Sequence, residues 1–447
     1  MKRLVYYLVF SLIGIWGCKK VDPKEYNEKA SEPQLLHTVS TELTDVMIHD
    51  IFKPTISSRI YAYSYLAAYE TLRNEYPSYP TFAKKLNTFG EIPKPDTSKQ
   101  YCYALASIKA FIYVGRTLTF SADLWDKFEE DFIKKYKNMG IPDDVYKRSV
   151  AYGEDVAKHV IKYSGSDFYK QTRGFRYTVV HEPGKWVPTP PTYADACEPR
   201  WNTLRNFTLD TCSQFMPPRP AKFDLNKKSE FYKLTTEVYE IGKHLTKEQK
   251  DIAFFWDDNA FVTNIIGHVT YANKKMSPAG HWIAITQTVA KDKKLSMIKS
   301  LEAYTLTSIA LYDGFISAWD EKYRSLRIRP ITVINDNIDP KWEPFLETPG
   351  FPEYVSGHST ISAAAGTILT HLLGDNVTFT DSTEYRFGHG VRTFKSFKEA
   401  YQQVSDSRVY GGIHYRDGVE AGMRQGEQVG EWVWKKLTKD EKVLTRK

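Results

Sequence analysis

Cysteine is scarce: four in 447 residues cannot staple a fold, so a disulfide scaffold is excluded. No cysteine or histidine group has zinc spacing, no glycine-rich loop suits a nucleotide, and no Gly-x-Ser-x-Gly elbow is present. Repeats of fixed period, low-complexity tracts and long heptad runs are missing as well, which excludes solenoids and coiled coils. Neither sign of charge dominates. Lys plus Arg number 61 against 54 Asp plus Glu, a net +7 too mild over this length to imply nucleic acid. The one long apolar run, Leu4 to Trp16, is too short to span a membrane.

That run follows Lys2 and Arg3 and stops at Gly17-Cys18, the order of a secretory signal. A cysteine after a small residue at its end resembles a bacterial lipobox, so residues 1–18 are expected to be a signal peptide and Cys18 a lipid-anchored mature N-terminus. The expected location is the bacterial cell envelope. Residues 19–34, polar and punctuated by proline, are expected to be a tether. Export leaves Cys102, Cys197 and Cys212 in an oxidising compartment. At most one disulfide can form; Cys197 with Cys212 is the favoured pair, worth about 3 kcal/mol.

What is abundant is aromatic: 30 Tyr, 24 Phe and 10 Trp. From Leu35 apolar residues recur at three-to-four spacing, as in Ile56, Ile60, Tyr63 and Ala67, or Val156, Val160 and Tyr163, which predicts amphipathic helices. The expected fold is all-α, two helix bundles: residues 35–173 and 227–447, separated by a proline-rich connection at 174–226 that holds Trp186-Val187-Pro188-Thr189-Pro190-Pro191. In the second half Ile298, Leu301, Thr305, Tyr312, Phe315 and Trp319 share a helix face that Pro330 is expected to end. An alanine-rich helix follows from His358 to Leu373, then helices at Lys398 to Val404 and Val419 to Leu437.

Three strings in this half carry unusual residues. Trp319, Lys322 and Arg329 would share a core-facing stripe on a continuing helix, and two cations there need an anion; the bland alternative is that they cap a helix dipole in water. Val355-Ser356-Gly357-His358 opens the alanine-rich helix, where a glycine admits backbone close to an oxyanion and first-turn N–H groups favour negative charge; simple capping is the alternative. Ser407-Arg408-Val409-Tyr410-Gly411-Gly412-Ile413-His414 sets two glycines where a tight turn would bring Arg408 toward His414.

In this order, Lys-x6-Arg-Pro, Ser-Gly-His and Ser-Arg-x5-His resemble the signature of the type 2 phosphatidic acid phosphatase and vanadium-dependent haloperoxidase superfamily. The resemblance implies that Lys322, Arg329, Ser356, Gly357 and Arg408 hold the oxygens of vanadate, that His414 bonds its metal, and that His358 is the acid/base. Charge supports that division: a multiply charged tetrahedral anion away from water needs several fixed cations, and Arg offers a planar fork. Phe351, seven residues before His358, and Trp319, three before Lys322, resemble the haloperoxidase halide pocket. Phe255-Trp256-Asp257-Asp258 and Gly280-His281-Trp282 resemble bacterial members, and the likeness covers about residues 35 to 437.

The implied activity is vanadate-dependent oxidation of a halide by hydrogen peroxide, iodide first and bromide second, with no nucleic-acid partner. Two departures stand out. Val355 replaces a proline, and Gly418 stands where an acidic residue four after His414 is usual, which leaves its support to Asp417 or Glu420. Asp258, or its neighbour Asp257, is expected to pair with Arg408. Pro278-Ala279-Gly280-His281 mimics Ser-Gly-His without a preceding cation pair, so His281 is taken for an ordinary core or surface histidine. The rivals are a soluble acid phosphatase using His414 as nucleophile, and a non-catalytic surface-lipoprotein binding module suggested by the aromatics.

Overall fold

The computed structural model describes residues 22–438 except residue 267; the signal segment and Cys18 lie outside the described residues. The fold is mostly helical, 60% helix and 3% strand. The N-terminal half consists of α1 (Pro23–Ala30), α2 (Pro33–His49), α3 (Pro54–Leu72), α4 (Tyr103–Leu118), α5 (Ala122–Lys137), α6 (Asp143–Gly165) and α7 (Tyr169–Thr172). After a largely irregular connection come α8 (Glu230–Lys243), α9 (Lys247–Phe255), the hairpin β1 (Phe261–Ile266) and β2 (Val269–Lys274), α10 (Pro278–Asp292), α11 (Met297–Ser325) and α12 (Pro330–Asn337). The chain closes with α13 (Gly357–Leu373), the short antiparallel pair β3 (Phe379–Asp381) and β4 (Arg392–Phe394), α14 (Phe397–Tyr410) and α15 (Arg416–Thr438).

Part of the expected tether is helix. Asp22 caps α1 by accepting from Lys24 N at 2.9 Å, and Tyr26 and Ala30 are buried. The segment is polar because only one narrow stripe of this short helix meets the body. Proline stands at the start of α1, α2, α3, α10 and α12, where its missing N–H costs no hydrogen bond. Pro330 therefore opens α12 rather than ending α11. The long helix stops at Leu326, in left-handed backbone (φ 52°), whose N–H returns to the Lys322 carbonyl. Lys322 and Arg329 thus lie on two elements, and the expected continuous stripe is broken between them.

One apolar core runs through both halves, from Tyr26 to Leu437. Helix α11 lies at its centre and packs against α3, α10, α13 and α15. Several tyrosines of this interior find partners for their hydroxyls: Tyr65 stacks on Tyr304 at 4.7 Å and bonds Ser40, and Tyr63 donates to Asp167 at 2.9 Å. Trp125, Trp186, Trp201, Trp256 and Trp282 are also fully buried. With the aromatics lining helix interiors, the binding-module rival loses its motive.

Two packing devices set the site. Gly422, Gly426 and Gly430 recur every four residues along α15, and a Cβ on them would lie 2.8, 2.0 and 2.7 Å from the carbonyls of Ser356, Thr360 and Ala364. Glycine is required there because α13 and α15 touch backbone to backbone. The irregular connection is held by Asp313 of α11, which accepts from the N–H groups of Phe207 and Thr208 at 2.8 Å each. Within that connection Cys197 and Cys212 are both free thiols, against the expected disulfide. Cys212 donates to Asp320 at 3.4 Å, while the Cys197 N–H is committed to the Gly350 carbonyl at 2.8 Å.

Candidate active site

The three strings converge on one buried centre. Lys322, Arg329 and Arg408 have no exposed surface and His414 retains 2%. Lys322 Nζ, in the last turn of α11, donates to the carbonyls of Pro352 and Glu353 at 2.9 and 3.0 Å. Arg329, N-cap of α12, donates through Nε to the Phe351 carbonyl at 2.9 Å and through Nη1 to the Ile413 carbonyl at 2.7 Å, while Nη2 has no partner among the described residues. Arg408, at the end of α14, uses Nε on Ser407 Oγ at 2.9 Å and Nη2 on the Trp256 carbonyl. Main-chain oxygens thus orient all three cations without neutralising them.

Electrostatics shows how costly these buried charges are. Burial, and then the charge of Arg329, push Lys322 well below the ordinary lysine value, partly offset by Glu353. Burial lowers Arg329 and Arg408 each to about 10, against the opposing pull of Glu353 on the first and Asp257 and Asp258 on the second. Cations are held here where their charge is costly, a cost that a neighbouring anion would relieve.

The tautomer of His414 follows from its partners. Nε2 lies 3.2 Å from Arg329 Nη1, which can only donate, and Nδ1 lies 2.8 Å from Glu353 Oε1. Burial and the charges of Arg329, Lys322 and Arg408 press its pKa well below the usual imidazole value. A neutral ring with its proton on Nδ1 satisfies both contacts and leaves the Nε2 lone pair among the cations. The turn that delivers it uses Gly412 at φ 77°.

The support of His414 corrects the sequence reading. Glu353 supplies it; Asp417 instead binds Arg327 at 2.7 Å, and Arg327 reaches Glu353 Oε2 at 3.2 Å. Gly418 explains the exchange, since a Cβ there would stand 2.3 Å from Glu353 Oε1. The acidic function has moved to another chain segment and the vacated position accommodates it. Asp258 also departs from expectation: its carboxylate binds His281, and the segment's main chain, not that side chain, meets Arg408.

Ser356 is the N-cap of α13, accepting from Ser359 N at 3.3 Å, as the capping reading expects. His358 is half-buried; its Nε2 is enclosed and has no partner among the described residues, and burial, reinforced by Arg408, His414 and Lys322, drives its pKa well below the ordinary value. His358, Arg408 and Phe351 line a cavity of about 420 Å³ together with Asp258, Cys197 and Lys53. Phe351 lies 4.8 Å from Lys322 Nζ, ring centre to nitrogen, and Trp319 sits behind it at 5.0 Å, with its indole N–H on the Cys197 carbonyl. A Cβ on Gly357 would press on Trp319 at 3.1 Å.

Comparisons with known proteins bear on the fold and the family. The family described as VCPO second helical-bundle domain matches residues 302–440. The fold is similar to the crystal structure of the first bacterial vanadium-dependent iodoperoxidase, with a TM-score of 0.85 and 41% identity over 92% of this chain and 98% of that one. It is also similar to the holo and apo forms of a bacterial vanadium-dependent chloroperoxidase, at TM-scores of 0.67 and 0.65 and 16% identity, covering 86% and 87% of this chain and 92% and 96% of those; these support the fold alone. No match was found among curated protein sequences. The chain belongs to the vanadium-dependent haloperoxidase family.

Proposed function

We propose that this protein is a vanadate-dependent enzyme that oxidises a halide with hydrogen peroxide, iodide first and bromide second. The observation that carries the reading is the buried trio Lys322, Arg329 and Arg408, whose charges all act on His414, with Arg329 at its Nε2 and Arg408 on the wall of a cavity. When bound, vanadate supplies an electrophilic centre that accepts peroxide and makes one of its oxygens transferable to a halide. The orphaned Nη2 of Arg329 and Nε2 of His358 fit such an oxyanion.

In this reading Lys322, Arg329 and Arg408 hold the charged oxygens, with Ser356 Oγ and the Gly357 N–H as further donors. His414 would hold the central atom through Nε2, kept in that tautomer by Glu353. His358 would accept and return a proton at Nε2, where an anion at hand opposes the depression caused by its cationic neighbours. Phe351, backed by Trp319, forms the apolar wall that excludes water from Lys322 and borders the halide.

The test is to reconstitute metal-free protein with orthovanadate and assay iodide, bromide and chloride oxidation beside phosphate-ester hydrolysis. Iodide oxidation that requires vanadate, and recovers more slowly after pre-incubation with phosphate, is expected. Ester hydrolysis without halide oxidation would establish the phosphatase rival instead. We further propose that the chain is an exported lipoprotein anchored through Cys18. Membrane association lost in Cys18→Ala is the expected result; a soluble wild-type protein would refute it.

A further inference from the structure

A second buried cluster lies beside the site, and its charge is of the opposite kind. His281, in the first turn of α10, is fully buried and stacked on Trp256 with ring centres 4.5 Å apart. Its Nδ1 is 2.8 Å from Asp258 Oδ1 and its Nε2 2.8 Å from Asp381 Oδ2. Asp381 is itself fixed by the Thr383 N–H at 2.9 Å. Glu384, from the 3-10 turn Thr383–Phe387, is completely buried, and among the described residues neither of its carboxyl oxygens has a partner. One ligand atom each from Asp258, His281 and Glu384 lies within 4.8 Å of the other two. Three carboxylates thus meet one imidazole, and Lys275, whose charge acts on Glu384, is engaged by Asp257 at 3.1 Å.

From this arrangement we infer that Asp258, His281 and Glu384 bind a divalent zinc-type cation. A histidine that ligates a metal through one nitrogen usually donates its other N–H to a carboxylate, and Asp381 stands in that position. Two carboxylates and one imidazole suit zinc; calcium takes six to eight oxygens, more than this group offers. Zinc–ligand bonds of about 2.0 to 2.2 Å place tetrahedral ligand atoms about 3.4 Å apart, so Asp258 and His281 need to part slightly and Glu384 to close in. Asp258 also lines the cavity, which provides entry and room for a fourth ligand from solvent. The cation would fix the Trp256–Asp258 segment, whose carbonyls orient Arg408, and the inference holds whichever oxyanion the neighbouring site binds.

The test uses the purified full chain in vanadate-free buffer, stripped with chelator and titrated with zinc alone. Bound metal is measured by elemental analysis and Tm by calorimetry. Expected are one zinc per chain and a zinc-dependent rise in Tm. Affinity should fall roughly tenfold to a hundredfold in Asp381→Asn, and further in Glu384→Gln. An unchanged wild-type Tm, substoichiometric zinc, or equal affinity in wild type and Glu384→Gln overturns the site; binding of calcium in preference to zinc overturns the metal assignment. If Glu384→Gln does not fold, the wild-type titration alone decides.

Discussion

The two buried clusters share the segment Trp256–Asp258 and differ in sign. In one, three cations press on two histidines, with Glu353 tied to His414 and to Arg327. In the other, three carboxylates close on a single histidine. The same residue type is driven opposite ways. His414, among cations, is pushed well below its ordinary pKa by burial and their charges, while His281 is raised well above it because Asp258 and Asp381 outweigh its burial. A histidine's chemistry here is set by its neighbours, so the ligand each cluster seeks can be inferred from the sign of its surplus charge.

The largest expected effect is at His414. His414→Ala removes the lone pair, so vanadate binding in equilibrium dialysis and halide oxidation should collapse together. His358→Ala should keep most vanadate yet lose about 10² to 10⁴ in rate at saturating cofactor, the usual worth of a positioned acid/base. The reverse pattern would exchange the two roles. Arg408→Ala should weaken vanadate binding by roughly tenfold to a hundredfold, and Arg408→Lys less but still measurably, since a point charge cannot replace a fork. Equal affinity across the three proteins would remove Arg408 from the site.

Smaller effects test how the first cluster is supported. Gly418→Ala puts a methyl where Glu353 Oε1 lies. The overlap should cost about 1 to 3 kcal/mol of stability and weaken vanadate binding. Placing the acid where it is usual, Glu353→Ala with Gly418→Asp, should recover part of the affinity lost in Glu353→Ala alone. No recovery would mean that Glu353 serves chiefly Arg327.

The smallest effect concerns pH in metal-free protein. His281 is raised, and burial raises Glu384 to about 8. Folded protein therefore binds more protons than unfolded above the unperturbed values near 4.3 for Glu and 6.5 for His. Stability from these groups is full below the unperturbed values and declines as pH rises through the folded ones. Denaturant midpoints from pH 6 to 9 should fall less steeply in His281→Gln than in wild type, and zinc should remove the wild-type decline by replacing both protons. Parallel profiles would show that the cluster does not titrate in this range.

The sequence disclosed the first cluster because its members sit in short strings whose spacing survives as local geometry: Ser356-Gly357-His358 on a helix start, Arg408 to His414 around a turn. Glu353 was not legible, since only tertiary packing sets it against His414; Gly418 in place of the usual acid was its one signal. The second cluster was equally hidden. Asp258, His281, Asp381 and Glu384 come from four elements and have no metal spacing, and His281 passed for an ordinary histidine. Likewise α1 showed no obvious amphipathic pattern, because a helix burying just Tyr26 and Ala30 looks like solvent-facing chain.

Helix α11 is buried along most of its length, with α3 of the N-terminal half on one flank and α13 and α15 on others. Trp319 and Lys322 are carried at its far end. Cutting the chain in the irregular connection would therefore strip one wall from the rod that holds the cation, however intact the later helices remain. The two halves are expected to melt together in one cooperative transition, and the span from 302 to 440, which starts inside α11, is expected not to fold by itself.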